Sequence, residues 1–495
     1  MGTIWGVIVG IGIGFVLWKA LWFLKRQEHK IEEDDIDGDR KVRMNNNIPG
    51  SVGLPFIGEL GSFLAATHST NGVYHFVNVR RQRYGKWFKT RILGKTSVFV
   101  PTVEGARSVY SRDFEQFNKA YVKSMGDLVG KKSLFIVPKS HHQKIRRALA
   151  HPFSMNYVSH FVPRFDALLS QRLQRLEEQR RSFPVLGFAS KVGFDSICDV
   201  LLSIRDAELL GEIESDCRDV YDAMLSLPFM IPGTLYYRAI KARERLMKRF
   251  KSIIAERRRR PKAEARDEKG DFLEVMLGED SLLDDEEIMD NLLTTILSGQ
   301  NTTASAMMWA VKFISDHLPV QDKLREEALS LRAAQPEGAA LAYEDMNKMT
   351  YTSKVIKETL RMANIVLWFP RVALANCTVD GVEIQKGWHV NVDAAHIHLD
   401  PAVHPDPLRF DPSRFDEMPR PYTYIPFGAG ARTCLGINMA KVTMSIFLHR
   451  LTSGYTWTLD NADPSLECKG FIPKLKSGCP ITLTALNHKE KSKAQ

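Results

Sequence analysis

A glycine-rich loop that presents a single cysteine constrains this chain more than any other feature. The loop runs from Phe427 to Gly436, and the pattern after it predicts a helix that begins at Ile437. A thiol just before a helix lies near the positive end of the helix dipole and near free backbone N–H groups. Both effects should lower the pKa of Cys434 and favour its thiolate, the form that binds metals. The loop therefore predicts a metal-binding cysteine, with an inert thiol in a turn as the alternative.

Length and composition favour one large domain. The chain has 495 residues, and no charge block, low-complexity tract or repeat after the N-terminus marks a boundary. Its six cysteines are scattered without a C-x-x-C pair, which argues against a disulfide framework or a zinc site. The net charge of +10 is compatible with nucleic acid, an anionic membrane surface or an acidic protein partner. No nucleic-acid-binding motif accompanies the charge, so we expect no nucleic-acid partner.

The N-terminus predicts a single-pass membrane anchor over residues 1–24. The stretch from Ile4 to Leu24 is apolar apart from Lys19 and is long enough to span a bilayer as a helix. Lysine and arginine are concentrated on its C-terminal side, so the positive-inside rule leaves the rest of the chain in the cytosol. A cleaved signal peptide is the alternative. Residues 25–47 predict a charged linker, and residues 48–495 predict the catalytic domain.

The loop carries the pattern Phe-x-x-Gly-x-Arg-x-Cys-x-Gly, which resembles the haem-thiolate loop of the cytochrome P450 monooxygenases. The resemblance covers essentially the whole chain and implies a mainly α-helical fold with a small β region. It implies haem b with Cys434 as the iron ligand, dioxygen as cosubstrate, and electrons from NADPH through a cytochrome P450 reductase. Together with the anchor, it implies the endoplasmic reticulum membrane. The other loop residues that it assigns to the haem are Phe427, Gly428, Arg432 and Gly436.

A helical stretch from Asp290 to Pro319 contains Ser298-Gly299-Gln300-Asn301-Thr302-Thr303 at its centre. Glycine and hydroxyl residues weaken a helix, so the segment predicts a local kink or an opened hydrogen bond. It resembles the oxygen-binding groove of the family, which implies catalytic roles for Gly299 and for Thr302, whose hydroxyl would help to deliver protons. Asn301 stands where the family usually has Asp or Glu. Because an amide cannot deliver a proton by titration, we expect rate and coupling to differ, rather than reaction class.

A basic segment predicts another contact with the haem. His142 and Arg146 are four residues apart on a predicted helix, so they share a face that is suited to binding carboxylates. The resemblance assigns both, together with Arg371, to the haem propionates, although the family commonly has Trp at the position of His142. A solvated basic helix face is the alternative.

Three charged residues match the Glu-Arg-Arg triad of the family. Glu358 and Arg361 are three residues apart on a predicted helix and can therefore pair, and Arg414 offers a second guanidinium. The resemblance implies a structural role for the three, which is to hold the cysteine loop in place.

Apolar segments match the family's substrate pocket. The loop from Leu227 to Gly233 breaks the helical pattern and predicts part of a substrate entrance, with membrane contact or simple packing as alternatives. The residues that the resemblance places in the pocket are Ser298, Ile365, Val366, Trp368, Phe369 and Phe471.

Two pairs of segments indicate a branch of the family. Residues 387–390 and 427–441 resemble plant members that oxidise isoprenoid hormones and their precursors. Residues 367–374 and 433–444 most resemble the strigolactone-pathway subgroup, which acts on carlactonoic acid or its methyl ester. Members of that subgroup hydroxylate this substrate or close its B and C rings to a deoxystrigol- or orobanchol-type product. The expected substrate is therefore a small apolar carboxylic acid or its ester.

Other functions stay open at this point. An abscisic acid, gibberellin or brassinosteroid hydroxylase is the alternative within the same branch. From another class, the chain could be a haem-thiolate isomerase or dehydratase that uses no dioxygen, but Thr302 and the unaltered cysteine loop count against it. An inactive haem-binding protein is the third alternative, and Asn301 is the observation that motivates it.

Overall fold

A computed structural model describes residues 48–55, 57–259, 271–278, 283–336, 338–467 and 471–486. The predicted anchor and charged linker lie outside these ranges. Within them, no helix combines the length and the apolar character needed to cross a bilayer.

Helices make up most of the described chain, and we number them in chain order. The first eight are α1 (Leu60–Thr67), α2 (Tyr74–Tyr84), α3 (Val103–Ser111), α4 (Lys123–Val129), α5 (Lys139–Ala150), α6 (Met155–Val158), α7 (Val162–Gln179) and α8 (Val185–Leu202). The others are α9 (Ala207–Asp222), α10 (Leu235–Arg259), α11 (Phe272–Leu277), α12 (Asp285–Asp316), α13 (Leu318–Ala333), α14 (Tyr343–Met346), α15 (Thr350–Ala363), α16 (Ala394–Leu399) and α17 (Ile437–Gly454). Short 3-10 turns lie at Ser159–Phe161, Pro412–Phe415 and Gly430–Arg432.

The strands form a small β region of three sheets. They are β1 (Lys89–Ile92), β2 (Lys95–Val100), β3 (Phe117–Lys119), β4 (Phe183–Pro184), β5 (Phe369–Ala373), β6 (Cys377–Val379), β7 (Val382–Ile384), β8 (His389–Val392), β9 (Tyr455–Leu459) and β10 (Pro480–Ala485). The largest sheet has the order β1-β2-β8-β5-β3, in which only the β2–β8 pair is parallel. Strands β4, β10 and β9 form a second sheet, and β6 and β7 form a hairpin.

Helix α12 is the central element of the core. It begins with a capping box, in which the Asp284 carboxylate accepts the Glu287 N–H and the Glu287 carboxylate accepts the Asp284 N–H, each at 2.9 Å. Most of its residues are buried, and it packs closely against α8. A Cβ atom built on Gly299 would lie 2.4 Å from Cδ1 of Ile197, so this glycine allows the two helices to approach. The helix therefore carries its central polar segment through the middle of the molecule.

The predicted fold class is confirmed, since the chain is mainly α-helical with a small β region. The run from Val382 to Val392 contributes two strands with different partners. Its first part, β7, pairs with β6, whereas β8 pairs with β2 and β5. Helix α12 is continuous from Asp285 to Asp316, through the segment that was predicted to kink or to open a hydrogen bond.

Candidate functional site

The cysteine loop takes a conformation that two glycines make accessible. Gly428 and Gly430 have φ of 69° and 70°, in the left-handed region that disfavours residues with a Cβ atom. The Cys434 N–H then donates to the Phe427 carbonyl at 3.0 Å, which closes the loop. Gly436 has an ordinary φ of −79° and immediately precedes α17. Its backbone conformation therefore does not require glycine. A Cβ at Gly436 would lie 3.9 Å from Cys434 Sγ, which is ordinary van der Waals contact.

The Cys434 thiol keeps solvent-accessible surface although protein atoms surround most of it. Burial raises the pKa of this thiol, against the opposing effects of the Gly436 N–H and of Arg146. The expectation of a lowered pKa is therefore wrong for the chain by itself, because desolvation outweighs the helix N-terminus and the nearby cation. A bound metal cation would supply the missing stabilisation of the thiolate.

Helix α5 is tied to the cysteine loop. Arg146 donates from Nη1 to the Thr433 carbonyl at 2.8 Å, next to the cysteine. His142, one turn earlier, is buried, and its ring lies 5.1 Å from the ring of Phe114. Burial, together with Arg432, Arg146 and Lys119, lowers the pKa of His142 to about 4. His142 is therefore uncharged at neutral pH, so it offers one N–H donor to a carboxylate rather than a second positive charge.

Two arginines predicted to bind the haem converge on one aspartate. Arg371 donates from Nε and Nη2 to the two carboxylate oxygens of Asp113, at 2.9 and 3.1 Å. Arg432 Nε lies 3.8 Å from the same carboxylate, and Arg432 Nη2 donates to Asn118 Oδ1 at 3.1 Å. The buried Nε of Arg432 has no hydrogen-bond partner. One carboxylate thus serves two guanidinium groups, and one donor remains unused.

Lys119 adds another amino group to this region. It lies directly opposite Arg371 in the β3–β5 pairing, and its Nζ donates to the Val137 carbonyl at 2.8 Å. Burial and the charge of Arg432 lower the pKa of Lys119 to about 8. We call Asp113, Lys119, Arg371 and Arg432 the cation cluster. Its positive charge exceeds the charge of its single carboxylate, so it is suited to binding further carboxylates.

Sequence reasoning missed Asp113, Asn118 and Lys119. Asp113 and Arg371 are separated by 258 positions, and no local pattern links them. The pairing of β3 with β5 is what brings these side chains together, and this register was not predicted.

On α12, the hydroxyl groups of the central segment bond to their own helix. Thr302 donates to the Ser298 carbonyl, and Ser298 donates to the Thr294 carbonyl, both at 2.6 Å. These bonds need no break in the helix, which explains why it stays continuous. A partly exposed stripe with helical spacing interrupts the buried surface of α12. It consists of Thr295, Ser298, Gly299, Thr302 and Thr303.

Asn301 is also partly exposed, and its side chain bonds outside α12. Its Oδ1 accepts a hydrogen bond from Lys474 Nζ at 3.1 Å. Asn301 therefore has a positively charged partner, which the sequence did not predict.

The predicted Glu-Arg-Arg triad is assembled. Glu358 and Arg361 are both fully buried, and Arg361 donates to the Glu358 carboxylate from Nε at 2.7 Å and from Nη2 at 2.8 Å. Arg414 Nε and the Asp411 N–H donate to Glu358 Oε1 at 3.3 and 3.0 Å. The remaining Arg361 donor, Nη1, bonds to the His398 carbonyl at 2.7 Å. We call Glu358, Arg361, Arg414 and His398 the buried network.

The buried network reaches the start of the cysteine loop. The Nε2 of His398 accepts a hydrogen bond from the Ile425 N–H at 2.9 Å, and the Ile425 carbonyl accepts the Gly428 N–H at 3.0 Å. This connection is consistent with the structural role expected for the triad.

The predicted pocket residues do not form one cluster. Trp368 and Phe471 meet with ring centroids 5.9 Å apart, and both contact the aromatic cluster that includes Phe63. Phe369 instead lies against Tyr110 and the Gly428 position of the cysteine loop. The other predicted members are Ser298 on the partly exposed stripe of α12, Ile365 in the main core and Val366, which is partly buried.

The arrangement fits a flat metal cofactor with two carboxylates. Cys434 offers an accessible sulfur, and the orphaned Nε of Arg432 and the surplus charge of the cation cluster suit acidic side groups. Leu435 packs in the same apolar cluster as Leu292 and Ile296 of α12, so the loop and the central helix border a common region. The donor set is that of haem with its two propionates.

Comparisons with known proteins agree with this interpretation. The cytochrome P450 family model matches residues 48–476. Abscisic acid 8'-hydroxylase 2 of Arabidopsis thaliana is 32% identical over 444 residues, which cover 88% of this chain and 90% of the relative. Ent-kaurenoic acid oxidase 1 of Arabidopsis thaliana is 32% identical over 417 residues, which cover 82% of this chain and 84% of the relative. The solved structure of retinoic acid-bound cyanobacterial CYP120A1 matches with a TM-score of 0.79 at 26% identity, over 89% of this chain and 100% of that one.

The fold and these matches define a haem-dependent oxidoreductase. The chain belongs to the cytochrome P450 family, and it is a monooxygenase of that family that depends on haem iron, dioxygen and electrons from a redox partner.

Proposed function

We propose that Cys434 would bind the iron of haem b and that the cation cluster, with Arg146 and His142, would hold its propionates. The single observation that carries this assignment is an exposed Cys434 two residues after Arg432, whose buried Nε has no hydrogen-bond partner. When bound, the haem iron supplies the activation of dioxygen for insertion of one oxygen atom into a C–H bond. In this proposal, Phe427, Gly428 and Gly436 shape the loop that carries the cysteine.

The chain itself would contribute positioning and proton transfer through helix α12. Thr302 Oγ1 donates its proton to a hydrogen bond with the Ser298 carbonyl, which leaves its oxygen free to accept a hydrogen bond from water on the partly exposed stripe. Gly299 keeps this part of α12 close to α8. Because Asn301 does not titrate, ordered water must bring protons to Thr302 in this chain.

We propose a plant isoprenoid-derived acid as the substrate, most specifically carlactonoic acid or its methyl ester, hydroxylated or closed to a deoxystrigol- or orobanchol-type product. The names of two relatives support an isoprenoid acid, since they are an abscisic acid hydroxylase and an ent-kaurenoic acid oxidase. Aromatic side chains around Trp368 and Phe471 suit the apolar body of such a molecule. Abscisic acid is the second candidate substrate, because a 32% identical relative is named for it.

We propose that NADPH-cytochrome P450 reductase in the endoplasmic reticulum membrane supplies the electrons, with the catalytic domain in the cytosol. The loop between α9 and α10 exposes a run of apolar side chains, Leu227, Phe229, Met230 and Ile231, each between 44% and 56% exposed. Exposed apolar patches of this kind mark membrane or ligand contacts, which agrees with a membrane-bound enzyme taking up an apolar substrate. Residues 1–24 as anchor, 25–47 as linker and 48–495 as catalytic domain complete this proposal.

Turnover in microsomes tests the proposal. Microsomes with this chain and a plant reductase receive carlactonoic acid, its methyl ester or abscisic acid, with and without NADPH, and mass spectrometry identifies the products. We expect an NADPH-dependent product from carlactonoic acid: a tricyclic lactone for ring closure, or a gain of one oxygen for hydroxylation. If abscisic acid were the only one of the three compounds converted, it would replace carlactonoic acid as the assigned substrate. Turnover without NADPH would indicate an isomerase.

The iron ligand is tested separately by Cys434→Ala. We expect this variant to lose the absorption spectrum that the ferrous carbon monoxide complex shows with a thiolate ligand. If the variant kept that spectrum, another residue would be the ligand.

A further inference from the structure

Lys474 lies on a C-terminal turn that is fixed to the central helix. The carbonyl of the preceding residue, Pro473, accepts hydrogen bonds from Ser305 Oγ at 2.7 Å and from Trp309 Nε1 at 2.9 Å. Both donors belong to α12, so the backbone that carries Lys474 is held in place. The same turn carries Phe471, whose ring contacts Trp368 in the proposed substrate pocket.

The Lys474 ammonium lies between α12 and α9. It donates to Asn301 Oδ1 at 3.1 Å and lies 5.2 Å from the centre of the Tyr221 ring. Throughout the described part of the chain, no carboxylate is within ion-pair distance of its Nζ. Burial lowers the pKa of Lys474, while the more distant Glu467 and Asp222 oppose this shift.

The partner of this ammonium is neutral, which leaves its positive charge unmatched. Had an aspartate stood at position 301, it would have formed an ion pair with Lys474 and cancelled the charge. Asn301 instead positions the amino group through one hydrogen bond and leaves two N–H donors for another group. A desolvated cation of this kind favours a carboxylate as its partner.

We propose that Lys474, positioned by Asn301, binds the carboxylate of the substrate and makes the enzyme selective for acids over their esters. The inference rests on the proposed function, since it takes an isoprenoid acid as substrate. The carboxylate lies at the Asn301 side of the turn, and the apolar body of the substrate extends along Phe471 and Trp368. The departure from the family at position 301 thereby acquires a role in recognition.

Ligand titrations of the haem-loaded enzyme test this inference. The change in the haem absorption band reports binding of four probes, which are carlactonoic acid, abscisic acid and their methyl esters. The variants are Lys474→Met, Lys474→Arg and Asn301→Asp, with Lys476→Met as a matched control, because Lys476 is exposed on the same segment.

We expect Lys474→Met to weaken binding of the acid at least about tenfold and binding of its ester less than about twofold. Lys474→Arg should retain most of the preference for the acid, because a guanidinium also pairs with a carboxylate. Asn301→Asp should weaken acid binding selectively, since the new carboxylate occupies the ammonium. Lys476→Met should bind all probes like the native enzyme.

Equal weakening of acid and ester in Lys474→Met would overturn the inference, because Lys474 would then only shape the pocket. A native enzyme that binds the esters as tightly as the acids would overturn it too, while leaving the monooxygenase assignment intact. If no probe changed the absorption band of the native enzyme, both the proposed substrate class and this inference would fail. In that outcome no variant would change the absorption band either, which distinguishes it from the other two outcomes.

Discussion

The buried network and the cation cluster each place two arginines around one carboxylate, and they differ in how completely the arginine donors are used. In the buried network, Glu358 accepts four hydrogen bonds, and the remaining Arg361 donor bonds to a backbone carbonyl. In the cation cluster, Asp113 pairs closely only with Arg371, and Arg432 keeps a buried donor without a partner.

This difference separates a structural role from a binding role. A buried charge is stable only when its partners satisfy it, so a group whose donors are all occupied has nothing left for a ligand. A group with surplus charge is costly until a ligand with opposite charge arrives. We infer that the buried network supports the cysteine loop, whereas the surplus positive charge of the cation cluster binds carboxylates of a ligand.

The largest effect is expected from Glu358→Gln. This change leaves Arg361 and Arg414 without their shared carboxylate in a fully buried site, which should destabilise the folded protein by about 3–5 kcal/mol. Thermal or denaturant unfolding and the yield of haem-loaded protein measure the effect. The exposed Arg420 provides a control, Arg420→Gln, that should change stability little. A stable, haem-loaded Glu358→Gln variant would show that the network is not needed for folding.

The second effect concerns binding rather than folding. Arg432→Gln should speed the loss of haem about tenfold to a hundredfold, because one charge-assisted contact to a propionate is worth roughly 1.5–3 kcal/mol. The haem-free protein should unfold as the native one does, since this change removes surplus charge. Haem transfer to an acceptor protein measures the rate, and Arg83→Gln on the surface of α2 is the control. Destabilisation without faster haem loss would make Arg432 a structural residue.

Asp113→Asn removes the only carboxylate of the cation cluster. Arg371 then faces a neutral amide with one acceptor oxygen in place of a carboxylate with two, so the haem-free protein should lose roughly 1–3 kcal/mol of stability. In the haem-loaded protein the propionates should replace much of what Asp113 provided, and the loss should be smaller. Unfolding of the variant with and without haem measures both values. Equal losses in the two forms would mean that no ligand carboxylate reaches Arg371.

The sequence predicted most successfully what depends on local pattern. The cysteine loop, the basic face of α5 and the pairing of Glu358 with Arg361 all follow from residues within one segment. Asp113 and Lys474 were missed because their partners, Arg371 and Asn301, are 258 and 173 positions away. Only the packed fold brings such groups together.

One expectation failed because the environment overrode a rule for isolated segments. The pKa of Cys434 was expected to be lowered by the helix N-terminus, but burial raises it. Desolvation depends on packing, which a sequence pattern does not contain. The kink or opened hydrogen bond near Thr302 stays a prediction, with α12 continuous there and the Thr302 hydroxyl bonded to the Ser298 carbonyl.

The smallest expected effect concerns the protonation of His398, which tests whether the buried network excludes a further positive charge. Burial, together with His404 and Arg361, lowers the pKa of His398 to about 3. Since Nε2 of His398 accepts the Ile425 N–H, the ring is neutral and its Nδ1 donates to Asn364 Oδ1 at 2.8 Å. Unfolded His398 takes up a proton near pH 6.5, whereas the folded residue does not. Its contribution to stability is therefore complete above pH 6.5 and is lost as the pH falls toward 3.

His398→Gln removes this titration. We expect the stability advantage of the native protein over the variant to shrink by up to about 1.4 kcal/mol per pH unit below pH 6.5. Denaturant unfolding at pH 8, 6.5 and 5 measures the difference, and His75→Gln at an exposed position is the control. A constant difference across these pH values would mean that His398 accepts a proton in the folded state. The buried network would then tolerate added charge as the cation cluster does, and the contrast between the two groups would rest on hydrogen bonds alone.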